Sequence, residues 1–89
     1  MKIKENFVLR QVAGAWVVLP LGSATLDFNG MLSLNESGLL LWRLLEVGKD
    51  ADDMVDALLQ AYDVDRETAK ADVEEFLNKL IQAGCVEAQ

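Results

Sequence analysis

An α+β fold, with a three-stranded antiparallel sheet followed by three α-helices, is what this 89-residue sequence predicts. Three observations carry the expectation. Two β-rich runs flank the dipeptide Ala13-Gly14, and a third short run ends directly on the helix-capping residue Asn35. The remainder repeats apolar residues at helical spacing behind aspartate caps.

The elements follow in order. Residues 1–6 are expected to be loose. "FVLRQV" (7–12) and "AWVVLPL" (15–21) are rich in β-branched and aromatic residues, and Gly14 supplies the positive φ of a tight turn, so they predict a hairpin. Pro20 lacks a ladder donor, so pairing should fade there or face outward. "GSATLDFNG" (22–30) reads as a strand extension or a loop, and "MLSL" (31–34) as a third strand at a sheet edge. Asn35 then caps a first helix whose Gly38, Leu41, Trp42 and Leu45 fall on one face, with Gly48 as its stop. Asp50 caps a second helix carrying Val55, Leu58, Leu59 and Tyr62. Asp65 caps a third, with Val73, Phe76, Leu77, Leu80 and Ile81 on its apolar side and Gly84 at its end; Cys85-Val86 folds back as a staple. The expectation is one domain over 1–89, sheet in 7–34 and helices in 35–83, resembling a winged helix-turn-helix with its sheet placed first.

The bulk numbers narrow the class. A hydrophobic fraction of 52% allows a packed core without metal or disulfide. The longest apolar run, residues 15–19, is far short of the roughly 20 residues of a membrane span, and no signal-peptide pattern is present. The single cysteine, Cys85, fits a reducing cytoplasm. Of the net charge of −7, residues 1–34 hold +1 (Lys2, Lys4 and Arg10 against Glu5 and Asp27), leaving −8 on residues 35–89. Such a surface repels phosphate backbones and anionic lipid, so neither nucleic acid nor membrane is an expected partner.

Little in the sequence supports catalysis. Histidine is absent, which removes the commonest general base and any Ser–His or Cys–His pair, and no Cys/His set exists for zinc. "DADDMVD" (50–56) lacks the glycine and later glutamate of a calcium loop and reads as a solvated helix N-terminus. No phosphate-loop pattern occurs. Neither enzyme activity nor a cofactor is expected.

Several features have two readings. The helix pair invites DNA recognition, but the third helix sets Arg66, Lys70 and Lys79 against Glu67, Asp72, Glu74 and Glu75, and the second adds Asp52, Asp53 and Asp56. Trp42 lies on a core stripe; Trp16 suits core or exposed face equally. Cys85, at a helix C-terminus, reads as a small apolar plug. On the third helix, Val73, Phe76 and Leu80 already make a core stripe. Leu77 and Ile81 widen it either for packing on two neighbours, which spacing favours, or as the wall of a groove. The uncharged "MLSL" edge beside such a wall suits strand addition, in which a peptide gains main-chain hydrogen bonds and pockets select its side chains.

"LNESG" leading to "LW" and "LL-x-x-G", an Asp-rich second helix ending in "AYDVD", and "DVEEFLNKL" followed by "AGCV" together resemble the PqqD-like family, the pyrroloquinoline quinone biosynthesis protein D family and its stand-alone RiPP recognition elements. "FVLRQVAGAWVVLPLG" and "DFNG" are similar to the family's sheet, so the resemblance spans nearly the whole chain. It implies a peptide chaperone that binds the leader segment of a ribosomally synthesised precursor by strand addition and presents it to a modifying enzyme, often a radical S-adenosylmethionine protein. Carried onto this chain, the peptide lies along Phe28, Met31, Leu32, Ser33 and Leu34, with a wall of Glu74, Leu77, Asn78 and Ile81. Cys85 replaces a larger aliphatic residue, and the "PLGSATLDFNG" connection is more like generic members than the quinone-pathway one, which points to another peptide-modification system. Two alternatives stand beside this: a winged-helix DNA-binding regulator, and a structural protein–protein adaptor. Monomer and homodimer both remain open.

Overall fold

The structure, a computed structural model, describes residues 2–4, 7–22 and 32–87. Its elements are β1 (Lys2–Ile3), β2 (Phe7–Val12), β3 (Ala15–Pro20), β4 (Leu32–Leu34), α1 (Glu36–Glu46), α2 (Ala51–Ala61), α3 (Arg66–Ala83) and β5 (Val86–Glu87). The three-stranded antiparallel sheet has the order β2-β3-β4 and is followed by the three helices, the α+β arrangement that the sequence predicts. Phe28 and Met31 of the expected peptide strand, like most of the 22–30 connection, lie outside the described residues.

The β2–β3 hairpin turns on a two-residue loop in which both residues have positive φ, Ala13 at 51° and Gly14 at 84°. That is the type I′ geometry whose twist matches the flanking strands. Sequence reasoning assigned the left-handed conformation to Gly14 alone; Ala13 shares it, against the preference of a residue with a Cβ. A two-residue loop makes Val12↔Ala15 a hydrogen-bonded pair, and the bonding alternates from there. Phe7↔Pro20 consequently falls on a non-bonded position relative to β2, so Pro20 withholds nothing from that strand.

One expectation fails at the N-terminus. Residues 2 and 3, expected to be loose, form β1 and pair antiparallel with β5, Lys2 opposite Glu87 and Ile3 opposite Val86. The Lys4 amide donates to the Cys85 carbonyl at 2.9 Å, extending the ladder. Two residues are too short for a period-2 pattern to show in sequence, and their partner is more than eighty positions away.

The helices are set by their caps. Asp50 and Asp53 form a reciprocal capping box: the Asp53 amide donates to Asp50 Oδ1 at 2.9 Å and the Asp50 amide to Asp53 Oδ2 at 3.3 Å. Thus two carboxylates of the acidic run serve α2's own backbone. Asp65 caps α3, accepting from the Thr68 amide at 2.7 Å, and Gly84 ends it in the left-handed region at φ 80°.

The helices bury one face each in a shared core. Gly38, Leu41, Trp42 and Leu45 are buried on α1, as their spacing predicts; Met54, Val55 and Leu58 on α2; Ala69, Val73 and Leu80 on α3. Val18 of β3 and Cys85 complete this core, and both are fully buried. Cys85 acts as the plug expected of it: its thiol donates to the Leu80 carbonyl at 3.5 Å, and burial pushes its pKa up to about 11. Trp42 is packed inside with its Nε1 lacking a partner among the described residues, while Trp16 is half-buried with the Arg43 guanidinium 5.6 Å from its ring centroid.

Two expectations about stability follow. Ala13→Asn places a residue suited to type I′ turns on the strained position and should stabilise the domain by about 0.5–1 kcal/mol; chemical denaturation giving no gain would mean the turn geometry differs. The Thr68 amide holds the Asp65 carboxyl below its ordinary pKa of 3.8. A depressed folded-state pKa contributes stability above the unfolded value that is lost as pH falls through the folded one. Asp65→Ala should therefore lower Tm at neutral pH, and the gap to the parent should close below pH 3.8; a gap unchanged by acid would sink the carboxylate-cap account.

Candidate functional site

β4 is an edge strand. It pairs on one side with β3, in the register Trp16↔Leu34, Val17↔Ser33 and Val18↔Leu32. The bonding alternation set by the Val12↔Ala15 turn has residues 15, 17 and 19 bonding toward β2 and residues 16 and 18 toward β4. Leu32 and Leu34 accordingly face β3 with their main-chain groups, and the N–H and C=O of Ser33 point to the open edge. Ser33 is also exposed in its side chain.

Asn35 follows Leu34 with no linker. Its Oδ1 accepts from the Gly38 amide at 2.8 Å and from the Ser37 hydroxyl at 3.0 Å, so strand end and helix start share one residue. The approach is close at Gly38: a Cβ there would lie a little tight against Asn35 Oδ1, at 3.1 Å, and in ordinary contact with Leu34 Cδ2, at 3.5 Å. The open edge of β4 therefore sits directly over the first turns of α1.

A groove of about 530 Å³ runs along this edge. Ser33, Leu34 and Asn35 form one lip, and Ser37, Gly38 and Leu41 of α1 with Leu58 of α2 lie beneath. Asp72, Glu75, Phe76 and Lys79 of α3 form the opposite lip. Phe76 is half-buried while the three charged residues are exposed. Among the described residues the salt bridge is Arg66–Asp56 at 3.3 Å, so Asp72, Glu75 and Lys79 meet the groove without an ion-pair partner there. The site holds hydrogen-bonding backbone, apolar surface and charged side chains. Cys85 lies in the core, away from it.

Of the residues expected from sequence, Ser33 and Leu34 line the groove. Leu32 packs against the core from the same strand. Glu74, Leu77, Asn78 and Ile81 do not line it: Leu77 packs half-buried against the core, and the other three are exposed. At 3.6 residues per turn, Asp72, Glu75, Phe76 and Lys79 lie on one flank of the buried stripe of Ala69, Val73 and Leu80, and Glu74, Leu77, Asn78 and Ile81 on the other. The β4-facing flank is the former. Sequence reasoning assigned Gly38, Leu41 and Leu58 to the core faces of their helices and not to a groove, and left Ser37 unmentioned; Gly38, a glycine on a buried helical face beside the cap, was the available signal.

Residues 15–86 match the family model for coenzyme PQQ synthesis protein D (PqqD). The solved structure of TbiB1 in complex with the TbiA(beta) leader peptide shares 31% identity with this chain and superposes with a TM-score of 0.82, covering 100% of this chain and 98% of that one. A lasso peptide synthetase B1 complexed with its leader peptide shares the fold at 21% identity, TM-score 0.81, over 98% of this chain and 96% of that one. No curated protein matches the chain. The family match takes in the hairpin turn's second strand, the β4–α1 junction and all of α3, every part that builds the groove, and the chain belongs to the PqqD family.

Proposed function

We propose that this protein binds the leader segment of a ribosomally synthesised precursor peptide as an added strand on β4, in the groove facing α3, and presents it to a modifying enzyme. One observation carries the reading: the open main-chain edge at Ser33 faces a groove with an apolar floor, in a chain whose 31%-identical, full-length structural match is a leader-peptide complex. Strand addition draws affinity from such an edge and specificity from the pocket beside it. The peptide contacts are Ser33 and Leu34 on one side and Phe76 with its charged neighbours on the other.

The chain is read as a binding partner that leaves chemistry to the enzyme it serves, a reading supported by the absence of histidine and by a groove of backbone and apolar groups. A radical S-adenosylmethionine protein is the kind of enzyme the family resemblance implies. Duplex DNA is disfavoured because α3, the helix that would enter a groove, carries two acids on its β4-facing flank. No helix among the described residues is long and apolar enough to cross a membrane.

The test is an amide NMR titration with the leader segment of a precursor encoded beside this gene. Shifts should gather on residues 32–41 and on the flank of Asp72, Glu75, Phe76 and Lys79; shifts on Glu74, Asn78 and Ile81 instead would move the site across the helix. Ser33→Pro removes the outward N–H and leaves the Leu32 and Leu34 bonds to β3, so it should weaken the leader about tenfold at unchanged Tm, the cost of one unmade main-chain bond. Val47→Ala, on the exposed end of α1, should leave affinity unaltered. Full affinity in Ser33→Pro would rule out strand addition at this edge.

A further inference from the structure

The charges on the groove's α3 lip are polarised. Asp72 stands at the N-terminal end of that flank, Glu75 and Phe76 together in its middle, and Lys79 at the C-terminal end. A strand lying between β4 and α3 turns alternate residues to the same side, about 6.6–6.8 Å apart. Asp72 is one helical turn, about 6 Å, from Phe76 along the α3 axis. In a strand running along α3, a peptide side chain seated against Phe76, beside Glu75, and the Leu41–Leu58 floor has a neighbour, two residues away in its own strand, brought to Asp72. At the other end Lys79 disfavours a cation and lies one turn from Glu75 on the same helix.

Resting on the leader-binding reading above, we infer that the groove selects a two-residue signature: a large apolar residue and, two positions away on one side only, lysine or arginine. The apolar residue supplies most of the affinity. The cation sets which way the strand lies, because reversing the peptide would bring it to Lys79. Both acids are exposed, so the pair acts as rim charges do, chiefly on association rate and salt dependence.

The experiment is selection of random peptides from a display library on the intact chain, at low and at moderate salt. The expected result is enrichment of a large apolar residue with Lys or Arg at a fixed spacing of two on one side. The double variant Asp72→Asn/Glu75→Gln should keep the apolar preference and lose the basic one. A synthetic peptide with the selected signature should bind that variant about three- to tenfold more weakly than the parent, with a shallower salt dependence, at equal Tm. Lys79→Gln should relax the one-sidedness. Apolar enrichment with no charge preference, or a basic preference that survives in the double variant, would overturn the signature and leave leader binding standing. A folded chain that selects no peptide would overturn both.

Discussion

The direct fusion of β4 to α1 through Asn35 is the constraint on which the rest depends. A strand that ends on a helix cap cannot turn independently of the helix, because Asn35 Oδ1 is already committed to the Gly38 amide at 2.8 Å. Helix α1 is itself anchored by Leu41, Trp42 and Leu45 in the core. The strand's register with β3 and its height over the helix are therefore set together. A linker of even a few residues would release the edge, and the groove would lose its fixed lip.

Gly38 completes this junction from the helical side. Glycine inside a helix ordinarily costs about 1 kcal/mol relative to alanine. Here a Cβ would crowd the capping carboxamide by a few tenths of an ångström, so the missing side chain eases the close approach of cap and helix. The same absence deepens the groove beneath Ser33. A local departure from helix preference thus serves both the fold and the binding surface.

An exposed edge is a hazard that proteins usually blunt with charge, proline or a covering element. This one is kept short, three described residues, and uncharged. Charge has moved instead to the facing helix, where Asp72, Glu75 and Lys79 surround an apolar floor. Acidic charge there discourages phosphate-bearing partners that a helix-turn-helix shape would otherwise admit.

The features legible in the sequence were those with a local cause. Asn35, Asp50 and Asp65 each begin a helix because a side-chain oxygen meets an amide three residues on, and Gly84 ends one because it adopts a left-handed conformation cheaply. The hairpin and the edge strand were readable for the same reason, as was the buried face of α1. Tertiary structure alone decided three matters. Pairing of β1 with β5 joins chain ends that no short window compares. The strain at Ala13 comes from a strand twist that both turn residues must follow. Above all, which flank of α3 faces β4 was undetermined: the stripe of Ala69, Val73 and Leu80 divides the helix into two sides, and each side carries both apolar and acidic residues. Periodicity gives the angle between residues on a helix but not the helix's rotation about its neighbours. That rotation is fixed by packing of α3 on α2 and β5, which leaves Phe76 in the groove beside β4 and Ile81 exposed.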